Sequence, residues 1–149
     1  MVNDSATPGN NKYYGTSGAG AKGYFDLPQG IGETFTAGEA LTARDLVYIT
    51  STGVMMKADA NTIGKEAMGF VAADIANAAT GTFYRDQGQI TGFTGLTAGA
   101  LYALSNTVAG GITLASTISL TAPDFFQAVG RASSTSVLQF KAGITILKS

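Results

Sequence analysis

The chain has 149 residues, 45% of them hydrophobic and 13% charged, with ten acids against nine lysines and arginines and no histidine, cysteine or tryptophan. That length and apolar share suit one domain with a proper core, while the composition excludes a Ser-His-Asp triad, a Cys-His pair, a disulfide framework and a zinc site built on cysteine or histidine. The net charge of −1, with its basic residues scattered, offers no basic patch for nucleic acid or an anionic membrane; 20 glycines among many Ser, Thr, Ala and Val favour short strands joined by tight turns.

Residues 1–29 read as an extended N-terminal arm. Gly, Asn, Ser and Thr dominate up to Gly20, and Tyr24-Phe25-Asp26-Leu27-Pro28 then brings apolar bulk without periodic context. The first eleven residues lack the charged start and apolar run of a signal peptide, so secretion by that route is not expected. Such an arm orders itself where a groove receives it, with Tyr13, Tyr14, Tyr24, Phe25 and Leu27 as its anchors, or it straps across its own domain. Within it, Gly18-Ala19-Gly20-Ala21-Lys22-Gly23 formally matches the dinucleotide fingerprint. That motif works between a strand and a helix that holds the pyrophosphate; here a polar tail precedes it, so it reads as a hinge.

Residues 30–149 read as a β-domain. Glu33-Thr34-Phe35-Thr36 alternates, and Leu46-Val47-Tyr48-Ile49-Thr50, the turn Ser51-Thr52-Gly53 and Val54-Met55-Met56-Lys57 form a hairpin. Further strand signals start at Gly69, Thr82, Gln89, Leu101, Gly111, Phe126, Ser136 and Ile144, punctuated by Gly, Asn, Ser or Asp at sandwich or barrel spacing. The helix candidates are short, at residues 61–67 and 122–126, the latter behind Thr121 and Pro123. Residues 87–123 carry no charge; Gly, Thr, Ser, Asn and Gln interrupt the stretch too often for a membrane span, so it reads as neutral surface packed between subunits.

An internal echo runs through this domain. Leu41-Thr42-Ala43-Arg44-Asp45-Leu46 matches Leu96-Thr97-Ala98-Gly99-Ala100-Leu101 at Leu, Thr, Ala and Leu, and Ala67-Met68-Gly69 is followed at a distance by Ala128-Val129-Gly130. Two copies of a module built from two hairpins predict an all-β fold, a compact β-sandwich or β-barrel of about eight short strands. Glu33, Glu39, Glu66, Asp74, Asp86 and Asp124 are the carboxylates that could pair as in a glycosidase, but carboxylates at turns such as Asp74 and Asp86 read as solvated caps. No calcium loop is present, and neither a metal nor a cofactor is expected.

Tyr14-Gly15-Thr16-Ser17-Gly18 through Lys22-Gly23-Tyr24-Phe25-Asp26-Leu27-Pro28, then Ala40-Leu41-Thr42-Ala43-Arg44-Asp45-Leu46-Val47, Met68-Gly69-Phe70-Val71, Gly95-Leu96-Thr97-Ala98-Gly99-Ala100-Leu101-Tyr102, and the closing Ala128-Val129-Gly130-Arg131-Ala132 and Val137-Leu138-Gln139-Phe140 resemble the capsid decoration (cement) and head-fibre proteins of tailed bacteriophages. The resemblance covers nearly the whole chain and rests on strand-and-turn patterns. It implies a non-enzymatic structural protein of the virion, made in the bacterial host cytoplasm. Such a subunit sits on the capsid exterior, commonly as a homotrimer, and locks capsomers together. Its partners would be the major capsid protein and further copies of itself, with no nucleic acid or membrane. The alternative is a tail-fibre or spike module that recognises a host glycan; a carbohydrate-active enzyme comes third. Exposed aromatics around a groove would favour the glycan reader, and a flat apolar base with a reaching arm would favour cement.

Overall fold

The computed structural model describes residues 12–16, 22–26, 32–121 and 124–147. Its strands are β1 (Lys12–Thr16), β2 (Lys22–Asp26), β3 (Gly32–Ala37), β4 (Leu46–Ile49), β5 (Val54–Lys57), β6 (Gly69–Val71), β7 (Thr80–Arg85), β8 (Gln87–Thr91), β9 (Leu101–Leu104), β10 (Ile112–Leu114), β11 (Phe125–Ala132), β12 (Val137–Lys141) and β13 (Thr145–Leu147). The fold is all-β, with no helix among the described residues. β1 and β2 pair antiparallel in a sheet of their own, and β3 to β13 form two sheets, one of them a closed barrel.

The body has eleven strands where about eight were expected, and the echo explains the excess. β3 to β7 close a barrel in the order β3-β5-β4-β6-β7, and β8 to β12 form a sheet in the order β10-β9-β11-β12-β8. Raising each strand number of the first unit by five gives the neighbours of the second. Each unit is therefore two hairpins plus a leading strand, β3 or β8, that pairs antiparallel with the unit's last strand. β13 is added at the end, on the first half of β11.

The matched Leu-Thr-Ala segments occupy the same structural place. Asp45 N–H donates to Thr42 O at 2.9 Å and Ala100 N–H to Thr97 O at 3.1 Å; Arg44 N–H donates to Val71 O at 2.8 Å and Gly99 N–H to Ala132 O at 2.7 Å. Arg44 and Gly99 both have positive φ, 83° and 79°. One turn, set in the left-handed region, thus delivers the chain into β4 and into β9.

The units differ in closure. β3 reaches β5 in parallel through Thr36 opposite Val54 and Ala37 opposite Met55, which seals Val47, Met55, Val71 and Phe83 inside the first barrel. β8 and β10 do not pair, and the second unit takes its missing wall from the first. Along β4 and β6 the residues alternating with the barrel interior, Leu46 and Phe70, join Tyr102, Leu104, Phe125, Val129, Leu138 and Phe140 in one cluster, with Tyr48 and Tyr84 packed against it. The Phe70 ring stacks on Tyr84 at 5.3 Å and meets Phe140 edge-on at 5.4 Å.

Backbone bonds stitch the same seam: Leu46 N–H to Gly110 O, Gly110 N–H to Ala58 O, Ala60 N–H to Ser105 O and Ala142 N–H to Asp86 O, at 2.7 to 3.1 Å. Buried Gln127 reaches across it, its Oε1 accepting from Ala67 N–H at 2.8 Å and its Nε2 donating to Ala67 O at 3.0 Å. Among the described residues no buried side-chain nitrogen or oxygen lacks a partner, so this core carries no uncompensated desolvation.

Two expectations change. Residues 61–67 form turns rather than a helix, because Gly64 has φ of 92° and the flanking Ala60 and Ala67 spend their N–H groups on Ser105 and Gln127. At the second helix candidate Asp124 N–H closes a turn onto Thr121 O and Phe125 already begins β11, while Ala122 and Pro123 lie outside the described residues. The charge-free residues 87–123 also supply Ile90, Leu96, Tyr102 and Leu104 to the core, so a part of their neutrality serves burial within the chain.

Candidate functional site

A cavity of about 770 Å³ opens on the outer face of the second unit. Strand register builds its floor. Leu101 of β9 lies opposite Arg131 of β11, Arg131 opposite Gln139 of β12, and Gln139 opposite Gln89 of β8, a straight row across four strands. One step along, Lys141 lies opposite Gln87. Side chains alternate across a strand, so Leu138 and Phe140 turn into the core while Gln139 and Lys141 turn out.

The row is partly fixed. Arg131 Nη1 donates to Gly99 O at 3.0 Å, and Gln139 Nε2 donates to Ser133 Oγ at 3.2 Å. No carboxylate lines the cavity, and among the described residues the ion pairs are Lys57 with Asp45 at 3.3 Å and Arg85 with Glu33 at 2.8 Å. The trough therefore presents two cations, three primary amides and an aliphatic edge, the equipment for holding an acidic or hydrogen-bonding ligand.

Of the carboxylate candidates, Asp74, Glu39 and Glu66 accept backbone N–H bonds, Asp124 is buried, and Glu33 and Asp86 both act on Arg85. Asp74 Oδ1 accepts from Ala43 N–H at 2.8 Å, Glu39 Oε1 from Lys57 N–H at 2.8 Å, and Glu66 Oε1 from Gly64 N–H at 3.3 Å. Asp124 is buried and its Oδ2 accepts from Asn106 Nδ2 at 2.8 Å and Thr121 N–H at 3.0 Å. Glu33 takes Arg85 at the rim of the first barrel; that hydrogen bond, helped by the guanidinium charge, holds the Glu33 carboxyl below its usual range and raises Arg85 further. Among the described residues no group of three or more acidic, His or Cys residues could hold a metal ion.

Four of the five proposed arm anchors come together by backbone register: Tyr13 lies opposite Phe25 and Tyr14 opposite Tyr24 in the β1–β2 ladder. Leu27 lies outside the described residues. The trough residues Gln87, Gln89, Arg131, Gln139 and Lys141 were missed. Their signal is in the sequence all the same: residues 87–147 hold just three charged side chains, Asp124, Arg131 and Lys141, and Gln-x-Gln and Gln-x-Lys sit at strand spacing.

The exposed large hydrophobic side chains form a second feature. Among the described residues they are Ile63, Val108, Ile144, Ile146 and Leu147, all aliphatic, with Ile144 88% exposed. The segments that carry them are tied by backbone bonds to the start of β11, directly or through Ala60. Phe126 pairs with Ile146 and Phe125 with Leu147; Phe125 N–H bonds Ala60 O in the loop that carries Ile63, and Ala60 N–H bonds Ser105 O in the hairpin that carries Val108.

No protein-family model matches the chain, and no curated protein matches it.

Proposed function

We propose that the chain is a structural virion protein, a decoration (cement) subunit that binds the outside of a tailed-phage head as a homo-oligomer and stabilises contacts between capsomers. The observation that carries this reading is the aliphatic end around β13. Ile146 and Leu147 lie on β13, which pairs with β11, Ile144 stands just before that strand, and all three are more than half exposed. Strands exposed in this way are covered by protein in stable assemblies. Among the described residues the exposed large apolar groups are aliphatic, which favours assembly over the stacking surface of a glycan reader. The resemblance across the strand-and-turn segments supplies the address on the capsid. Asp74, Glu39, Asp124 and Glu33, each engaged by a backbone or side-chain donor of its own, support a mechanical role over a hydrolytic one.

The test is cosedimentation of the full chain with expanded, undecorated heads of the phage that encodes it, alongside sedimentation velocity of the free protein. Saturable binding to heads and a free oligomer, a trimer by the resemblance, are expected. A protein that stays in the supernatant at every concentration overturns the reading.

A further inference from the structure

The trough on the second unit is the counterpart of a face that already works as a docking surface. In the first unit the equivalent row runs Leu46, Phe70, Tyr84 and Gly32, each directly opposite the next; Leu46 and Phe70 are buried under the second unit and Tyr84 packs against the same cluster. In the second unit the row runs Leu101, Arg131, Gln139 and Gln89. Leucine is retained at the end of the row, while the two aromatics have become a guanidinium and an amide. The facing pairs of the row are shared, so its chemistry has changed at matching positions, while the second sheet is open and bulged at Ala128–Gly130.

Charge has been redistributed in the same sense. Residues 32–86 hold seven carboxylates and four cations, whereas residues 87–147 hold two cations, Arg131 and Lys141, and one carboxylate, Asp124. Asp124 is buried in its own turn, and both cations line the trough. Every exposed charge of the second unit thus has one sign and one location.

We propose that this face binds an acidic polypeptide segment of a partner protein. Arg131 and Lys141 receive its carboxylates. The guanidinium is held by Gly99 O through Nη1 and keeps its remaining donors for a planar carboxylate. Gln87, Gln89 and Gln139 offer both donors and acceptors to the peptide groups of the segment. Adjacent strands lie about 4.8 Å apart, so the row from Leu101 to Gln89 spans ~14 Å, room for a few extended residues. A polypeptide is preferred to an acidic polysaccharide for two reasons: the matching face of the first unit docks protein, and the ring at the trough, Phe140, is buried and gives sugars nothing to stack on. This inference stands apart from the aliphatic end around β13 and from the capsid address.

The experiment titrates the full chain with a short fluorescein-labelled oligoglutamate peptide at low salt, following polarisation, with oligolysine and polygalacturonate as comparisons. Amide NMR spectra locate the contact. Oligoglutamate is expected to bind and to weaken as salt rises, with the side-chain amides of Gln89 and Gln139 shifting; oligolysine should not bind. Lys141→Glu combined with Arg131→Gln should reduce affinity about tenfold or more, while Lys57→Glu should leave it unchanged. Lys141→Glu alone, at an exposed position, separates loss of binding from loss of fold. Three results overturn the proposal: no oligoglutamate binding at low salt, binding indifferent to the trough variants, or polygalacturonate bound as well as the peptide.

Discussion

Replacing Phe70 by alanine tests the claim that the first barrel serves as the missing wall of the second unit. The ring is 1% exposed and sits between Tyr84 and Phe140 at centroid distances of 5.3 and 5.4 Å. Losing a buried Phe to Ala costs about 3–5 kcal/mol, of which the two ring pairs account for ~1–3 kcal/mol together. At about 2–4 °C per kcal/mol for a chain of this size, the melting midpoint should fall by roughly 10 °C. The informative comparison is Phe83→Ala, an equally buried ring inside the first barrel. Phe83→Ala should lower one cooperative transition. Phe70→Ala weakens the seam and leaves the first barrel's interior whole, so urea unfolding should show a smaller slope or a second step, with amide exchange rising first in β9 to β12. If both variants shift a single transition by the same amount with unchanged slope, the two units do not unfold as semi-independent parts and the reasoning fails.

Arg131→Phe with Gln139→Tyr restores the first unit's aromatic row on the free face, and sedimentation should reveal new concentration-dependent self-association, head to tail. Gly99→Ala meets no atom within 4 Å but keeps φ of 79°, so it should cost about 1 kcal/mol by chemical denaturation without changing the structure. Glu33 has its folded pKa depressed by Arg85; the stability it contributes is present above its unfolded pKa and lost as the pH falls through the folded one. Glu33→Gln should therefore flatten the acid limb of stability against pH, weakly and less so in high salt, because the pair is exposed. Deleting residues 1–29 should leave the melting transition of the body nearly unchanged and abolish capture by undecorated heads; equal capture would take the arm out of capsid contact.

The strands were legible because local chemistry sets them. Alternation at Glu33-Thr34-Phe35-Thr36, the apolar runs at Leu46 and Leu101, and glycine turns such as Gly53 with φ of 77° all act over a few residues. The duplicated plan was visible in Leu-Thr-Ala for the same reason, since both copies must enter a strand through one turn. Closure was not visible. Whether β3 meets β5 depends on partners distant in sequence, and nothing local in β8 or β10 announces that their pairing is absent. The trough escaped notice because its residues come from strands β8, β9, β11 and β12, and a row of that kind exists only once the register is known. The helix expected at residues 61–67 failed through the backbone: propensity favoured Lys65, Glu66 and Ala67, but Gly64 and bonds to the second unit decided otherwise.

Divergence between the two copies follows from what each face must do. A tandem unit whose outer face is apolar invites another unit, and the invitation must stop somewhere if the chain is to remain soluble. Repeat proteins solve this with terminal units that are polar on the outside. Here the solution takes two positions in one row, Phe70 to Arg131 and Tyr84 to Gln139. The opposite substitution occurs at the rim. Glu33 and Arg85, paired in the first barrel, correspond by register to Ile90 and Phe140 in the second unit. That end of the second unit is packed against Phe70, where a carboxylate and a guanidinium would incur desolvation that an apolar pair avoids. Polar residues thus replace apolar ones where packing ends, and apolar residues replace charges where packing begins. Each change agrees with the same two-unit arrangement, which ties Phe70 to the seam and leaves Arg131 on a face free to receive something else.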